Sequence, residues 1–161
     1  MNKNNSNILK LLKEDARYSA KEIAVMLSLT KEDVAAAISQ MENDGTIVKY
    51  TTIINSEKLC ENKVQAIIEV KVTPERKCGF DSIAEAICKF DEVKTVTLMS
   101  GGYDLSIMIE GSSIKEIALF VSQKLSVLSN VISTATHFVL KNYKIEGIAI
   151  EEKEIERIEQ L

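Results

Sequence analysis

Ser100-Gly101-Gly102-Tyr103-Asp104-Leu105 stands between two apolar runs, residues 93–99 before it and 105–109 after it. Two adjacent glycines can take positive φ and let a chain reverse within a few residues, so the stretch predicts a hairpin joining two antiparallel strands. Tyr103 and Asp104 follow the glycines, where small residues leave backbone N–H groups open to a ligand. Asp104 suits a cation such as an amino group, and the neighbouring amides suit a carboxylate.

Outward from this hairpin the pattern is regular. Residues 64–73 read as a strand with Ala66, Ile68, Val70 and Val72 on one face. A turn over 74–79 precedes a helix over 80–90, which places Ile83, Ala84 and Ile87 at core spacing. After the hairpin, Ser113-Ile114-Lys115-Glu116 forms a capping box that opens a helix carrying Ile117, Phe120, Val121, Leu125 and Leu128. Residues 131–140 form a last strand. The order β-α-β-β-α-β is the ferredoxin-like split unit, an antiparallel sheet with both helices on one face. Its strands are apolar on both sides in places: Ile67 with Ile68, Ile107 with Met108, Phe138 with Val139. The uncovered face is therefore expected to be an apolar patch that a second copy covers. This domain spans 64–144. Residues 145–161 follow as an acidic tail, in which Ile155, Ile158 and Leu161 share one side, the pattern of a short amphipathic helix.

The first third of the chain is helical. Ile8, Leu9, Leu11, Leu12 and Ala16 recur at helical spacing over 6–17, with Ser6 or Asn7 as cap. Ser19-Ala20-Lys21-Glu22 is a capping box opening a short helix with Ile23, Ala24 and Leu27, and Ser28-Leu29 ends it. Thr30-Lys31-Glu32-Asp33 resembles a second box with aspartate in place of glutamate. It opens a third helix with Val34, Ile38 and Met41 inward and Gly45 at its end. Ile47, Val48, Tyr50, Thr52, Ile53 and Ile54 then read as strand or small hairpin. Three short helices, the last two with capping boxes around one short turn, fit a helix-turn-helix, and the β segment resembles a wing. Capping boxes alone also fit a small helical bundle with no role on DNA. The fold class is thus α+β: a winged helix-turn-helix over 1–54, a polar linker over 55–63, and the βαββαβ domain.

Composition bounds the function. At 161 residues, 45% hydrophobic and 27% charged, the chain suits two small domains. It has no apolar run of the roughly 20 residues that a membrane span needs and no signal-like start, so a cytoplasmic location and no membrane partner are expected. Cys60, Cys78 and Cys88 have no metal-type spacing and are expected to be reduced. The net charge of −4 is uneven: residues 1–56 hold seven cations and seven anions, so the remainder carries the whole imbalance. If one half touches a polyanion, it is the first.

A winged helix-turn-helix, a linker and a βαββαβ unit in that order resemble the Lrp/AsnC family of transcription regulators. The likeness extends over roughly 5–144 and runs through Arg17-Tyr18-Ser19, Glu22-Ile23-Ala24, Thr30, Val34, Gly45-Thr46-Ile47, the Ser100 to Asp104 turn, and Val131, Thr134, Thr136 and Val139-Leu140. It implies a regulator that dimerises through its C-terminal sheets, assembles further into tetramers or octamers, and senses an amino acid between C-terminal domains. It implies no cofactor. Carried over by residue, the effector site is Ser100, Gly101, Tyr103 and Asp104 with Thr134 and Thr136. The other reading is that Asp104 caps its turn and the threonines are ordinary strand residues. The family places a basic residue where Ala35-Ala36-Ala37 follows Val34 here, and a glycine where Ser28 stands. The DNA-facing set is Thr30, Lys31, Ala35, Ala36, Ser39 and Gln40, with Lys49 and Tyr50 beyond the helix. Gln reads adenine and alanine meets a thymine methyl. With few cations each subunit binds weakly, and affinity depends on several subunits engaging one DNA.

Two other functions compete. Haem-precursor decarboxylases resemble the same scaffold, but the single histidine, His137, lies in a strand, and no nucleophile-base pair, metal spacing or phosphate loop is present. A sensing or assembly protein without DNA contact is the other alternative, motivated by the three alanines.

Overall fold

The computed structural model describes residues 2–59, 63–74 and 79–150. The expected tail helix, most of the 74–79 turn, Cys60 and Cys78 lie outside them. The chain divides into two compact units, Met1–Ile54 and Asn55–Leu161.

Unit one holds helices α1 (Lys3–Glu14), α2 (Ala20–Leu27) and α3 (Lys31–Asn43). Helix α1 begins earlier than its apolar spacing suggests: Asn2 is the cap, accepting from the Asn4 N–H at 3.4 Å, and Ser6 and Asn7 lie inside the helix. The added turn is polar, so no periodicity announces it. The Ser19 box closes fully, with the Glu22 N–H donating to Ser19 Oγ and the Ser19 N–H donating to Glu22 Oε2 at 2.8 Å. Ser28 then takes the left-handed conformation, φ 55°, that ends α2. The Thr30 box closes by half. The Asp33 N–H donates to Thr30 Oγ1 at 3.1 Å, but the shorter Asp33 carboxylate accepts from the Thr30 hydroxyl rather than from its backbone. Gly45, at φ +76°, terminates α3 as its position predicts. Ile8, Ile23, Ala24, Val34 and Met41 form the core. Each large apolar side chain among them contributes about 1.5–3 kcal/mol by leaving water.

The strand or small hairpin expected over 47–54 is the first correction. Residues 47–54 pair in no strand ladder. Alternating apolar residues need a partner strand, and Val48 stands 89% exposed without one. The segment is tied to α3 instead, through the Ile47 N–H to Met41 O at 2.8 Å and the Tyr50 hydroxyl to Glu42 Oε1 at 2.9 Å.

Unit two contains β1 (Val64–Val72), α4 (Asp81–Cys88), β2 (Val93–Leu98), β3 (Leu105–Gly111), α5 (Ile114–Phe120), β4 (Val131–Phe138), β5 (Lys144–Ile145) and β6 (Ile148–Ala149). The main sheet runs β2-β3-β1-β4, each pair antiparallel. Ala66, Ile68, Val70, Val72, Leu105, Ile107 and Ile109 are buried against Ile83, Ile87, Ile117 and Phe120, so both helices cover one face. Ser113 caps α5 as expected, but the Glu116 carboxylate accepts from the N–H and hydroxyl of Ser112, one residue before the cap. A π-type turn, Val121–Leu125, continues α5 and carries Lys124 over the rings of Phe90 and Phe120 to pair with Glu92.

The open face of the sheet is a second correction. Thr95, Met108, Ile67 and His137 lie across it in one row, and Thr97, Ser106, Glu69 and Ala135 in the next. The apolar doublets of the sequence resolve with Ile68, Ile107 and Phe138 on the helix side. Ile67 and Met108 remain as an apolar stripe between polar rows. Residues 144–149, which the sequence divides between domain and tail, form a small hairpin. Its two turn residues Glu146 and Gly147 both have positive φ, 47° and 84°, the mirror-image turn that matches strand twist. Asn142 anchors its root by donating to Gln65 Oε1 at 3.1 Å, while Gln65 donates to Glu110 Oε1 at 2.8 Å. Cys88, exposed on α4, is a free thiol.

Candidate functional site

Helix α3 presents the first site. Its buried side holds Val34 and Met41, with Ala37 and Ile38 packed beside them. Residues at i, i+4, i+7 and i+11 share a stripe, which places Glu32, Ala36, Ser39 and Asn43 along the outward face. Lys31 and Ala35 flank this stripe on one side and Gln40 on the other, and all seven are exposed. Among the expected DNA-facing residues, Lys31, Ala35, Ala36, Ser39 and Gln40 are thus brought together on one helix. Thr30 serves as the cap, its hydroxyl both accepting from the Asp33 N–H and donating to the Asp33 carboxylate. Lys49 is exposed on the segment after α3, outside any strand. Glu32 and Asn43 were missing from the expected set, although the helical spacing alone contains them.

Electrostatics leave this face little positive charge. Asp15 accepts from Arg17 Nη2 at 2.7 Å, and that hydrogen bond holds its carboxyl down at about 2. The Arg17 charge is therefore compensated locally. Beyond α3, burial of the Tyr50 phenol and its bond to Glu42 push the phenol up from its ordinary range. The same bond fastens the segment after α3 to the end of the helix.

The second site is the central turn. The Met99 N–H donates to Asp104 O at 2.8 Å, closing the loop between β2 and β3. The Asp104 N–H donates to Val70 O at 3.0 Å, and the Val72 N–H donates to Asp104 Oδ2 at 2.9 Å. Asp104 therefore ties the turn to the end of β1, and one carboxylate oxygen does the work of a cap. The glycines act otherwise than expected, because neither Gly101 nor Gly102 is at positive φ. A loop of this length reverses without it. A Cβ at either position would meet nothing within 4 Å, so what they supply is open space. Ser100 and Gly101 are exposed, and Tyr103 is half-buried. Thr134 and Thr136 pair with Val70 and Ile68 on β1, which puts them on the helix-covered side. Strand β1 separates them from β3 and the turn. The turn residues thus cluster at one sheet end, and the threonines stand across β1 from them.

His137 lies on the open sheet face with Nε2 3.5 Å from Glu69 Oε1, and 59% of its side chain is exposed. Among the described residues, no group of three His, Cys, Asp or Glu side chains is placed to hold a metal ion.

A helix-turn-helix reading head joined to a βαββαβ sheet with an open, fastened turn defines a class: a DNA-binding module coupled to a ligand-binding module. Family comparison gives the same division. Residues 1–48 match the winged helix-turn-helix DNA-binding family, and residues 65–148 match the Lrp/AsnC ligand binding domain. The HTH-type transcriptional regulator YugG of Bacillus subtilis is 44% identical over 147 residues, 91% of this chain and 89% of that protein. Among solved structures, the regulator NMB0573 of Neisseria meningitidis in complex with L-Met superposes with TM-score 0.70 at 23% identity, covering 90% of this chain and 93% of that one. AsnC of E. coli superposes with TM-score 0.70 at 21% identity, covering 90% and 95%. The chain belongs to the Lrp/AsnC family of transcriptional regulators.

Proposed function

We propose that this regulator reads double-stranded DNA through the exposed face of α3 and responds to an amino acid held at the turn 100–104. The observation that carries the DNA reading is the face itself: small at its centre, flanked by Lys31 and Gln40, and held in place by a cap and a fastened C-terminal segment. Ala35 and Ala36 allow close approach to thymine methyls, and Gln40 offers a bidentate partner for adenine. For the effector, support comes from the open space over Gly101 and Gly102 beside a carboxylate with one oxygen engaged, and from the L-Met bound by the Neisseria regulator. Thr134 and Thr136, on β4 across β1 from the turn, complete the proposed site.

The active species in this reading is a homo-oligomer, a dimer or a higher assembly of dimers. Leu140, Tyr143 and Ile148 support it, because all three large side chains are exposed on the segment after β4. A weakly charged reading head also needs several copies on one DNA to reach useful affinity. No catalytic role is assigned to any residue.

The test is a gel-shift titration on the DNA upstream of the protein's own coding region, repeated over a range of salt. Affinity should fall as salt rises, and Lys31→Ala combined with Gln40→Ala should weaken it. Absence of a shift at low salt on any native upstream fragment would refute the DNA reading and favour a sensor without DNA contact. Turnover of, or coloured complexes with, a tetrapyrrole would favour the enzyme reading.

A further inference from the structure

We infer that Glu32 is a base-reading residue that commits each half-site to a cytosine in the α3 contact, an inference that rests on the DNA reading above. Three charged residues occupy the first turn of α3, and the structure uses them differently. Asp33 is consumed by the cap, taking the Thr30 hydroxyl with its carboxylate. Lys31 flanks the face as an exposed cation. Glu32 is exposed and heads the outward stripe that continues through Ala36, Ser39 and Asn43. In a helix-turn-helix the N-terminal residues of the second helix are those that meet base edges.

A carboxylate there discriminates by what it cannot tolerate. Guanine presents two acceptors in the major groove and thymine presents O4, so each would face an anion with an acceptor. Adenine offers its amino group between its own N7 and the paired thymine O4, whereas cytosine carries no major-groove acceptor of its own and its amino group has an acceptor, the paired guanine O6, on one side only. Non-specific DNA offers Glu32 only phosphate repulsion. The face therefore gains little from generic charge, and Glu32 makes a wrong base more costly than a neutral residue would. Ala36, one turn on, is small enough to let the carboxylate approach the base edge.

The experiment is selection of binding sites by the full-length protein from a random double-stranded DNA library, run in parallel for wild type, Glu32→Gln and Glu32→Ala. Wild-type sites should carry a C·G pair at one fixed place in each half-site, and replacing that pair should weaken binding by at least about fivefold. Glu32→Gln should move the preference there to adenine or flatten it. Glu32→Ala should flatten it and raise affinity for non-specific DNA. The remaining positions of the selected site should be unchanged in both. If wild type enriches a site and both variants enrich the same site with the same base at every position, Glu32 only supports the helix start and the inference is overturned. If wild type enriches no sequence, the DNA reading itself fails, and this inference with it.

Discussion

Replacing Asp104 separates two roles that share one carboxylate. Its Oδ2 accepts the Val72 N–H at 2.9 Å in a partly buried setting, so removing it leaves a backbone donor without its partner. A hydrogen bond to a charged group contributes about 1.5–3 kcal/mol, and Asp104→Ala should cost about 2 kcal/mol. Asp104→Asn keeps an acceptor oxygen but loses the charge, and since charge-assisted bonds are roughly twice as strong as neutral ones, it should cost about 1 kcal/mol. In a unit of about a hundred residues this corresponds to Tm losses of roughly 10 °C and 5 °C. Differential scanning calorimetry of the full chain reads both. The same samples with each amino acid added in turn read the second role: wild type should be stabilised by its effector, whereas Asp104→Asn, with its clamp kept, should lose that response. An Asp104→Ala protein within about 0.5 kcal/mol of wild type would refute the clamp. An Asp104→Asn protein that still responds in full would remove the charge from the effector site.

Other perturbations follow from single features. Ser28→Gly should raise the stability of unit one by about 0.5–1 kcal/mol, since Ser28 holds a left-handed conformation that glycine adopts freely; a lowered denaturation midpoint would contradict this. Tyr50→Phe should leave the helical core folded by circular dichroism while weakening DNA binding by a few fold, because the segment carrying Lys49 loses its bond to Glu42; unchanged affinity counts against a role for that segment. The hydrogen bond from Lys124 holds the Glu92 carboxyl below its ordinary range. A lowered folded value means that the pair's contribution is present above the unfolded value near 4.3 and is lost as pH falls through the folded one. With Lys124 46% exposed, that contribution stays below about 1 kcal/mol. Lys124→Met should flatten the acid limb of the stability profile, and an unaltered limb would show the pair to be inert. Lys31→Ala should reduce the salt slope of DNA binding by about one phosphate contact, read from titrations at several salt concentrations.

Local chemistry made much of this fold legible. The Ser19 box, the glycine ending α3 and the alternation along β1 each act within a few residues, and each appears where its residues say it should. What escaped the sequence depends on distant partners or on missing contrast. The first turn of α1 is Lys3-Asn4-Asn5-Ser6, polar on every side, so only the Asn2 cap reveals it. The segment after α3 has a strand's alternation but no second strand to pair with. Whether Thr134 and Thr136 face the turn or the helices is decided by their register against Val70 and Ile68, more than sixty residues away. The engagement of Asp104 with Val72 spans 32 positions and involves a backbone donor, which no side-chain pattern records. In the candidate DNA face, the outward set was readable from helical spacing. Glu32 and Asn43 belong to that stripe by spacing alone, whatever their charge.

Gly101 and Gly102 lie outside the positive-φ region that favours glycine, with nothing near enough to exclude a methyl group. Alanine at either place should make the isolated chain slightly more stable, by curbing the freedom of its unfolded form. Folding thus has no need of this pair, and bears a small penalty for keeping it. At the effector site proposed above that bareness leaves room for a guest, and the measure of the guest's size is which of the two can be filled before it is turned away.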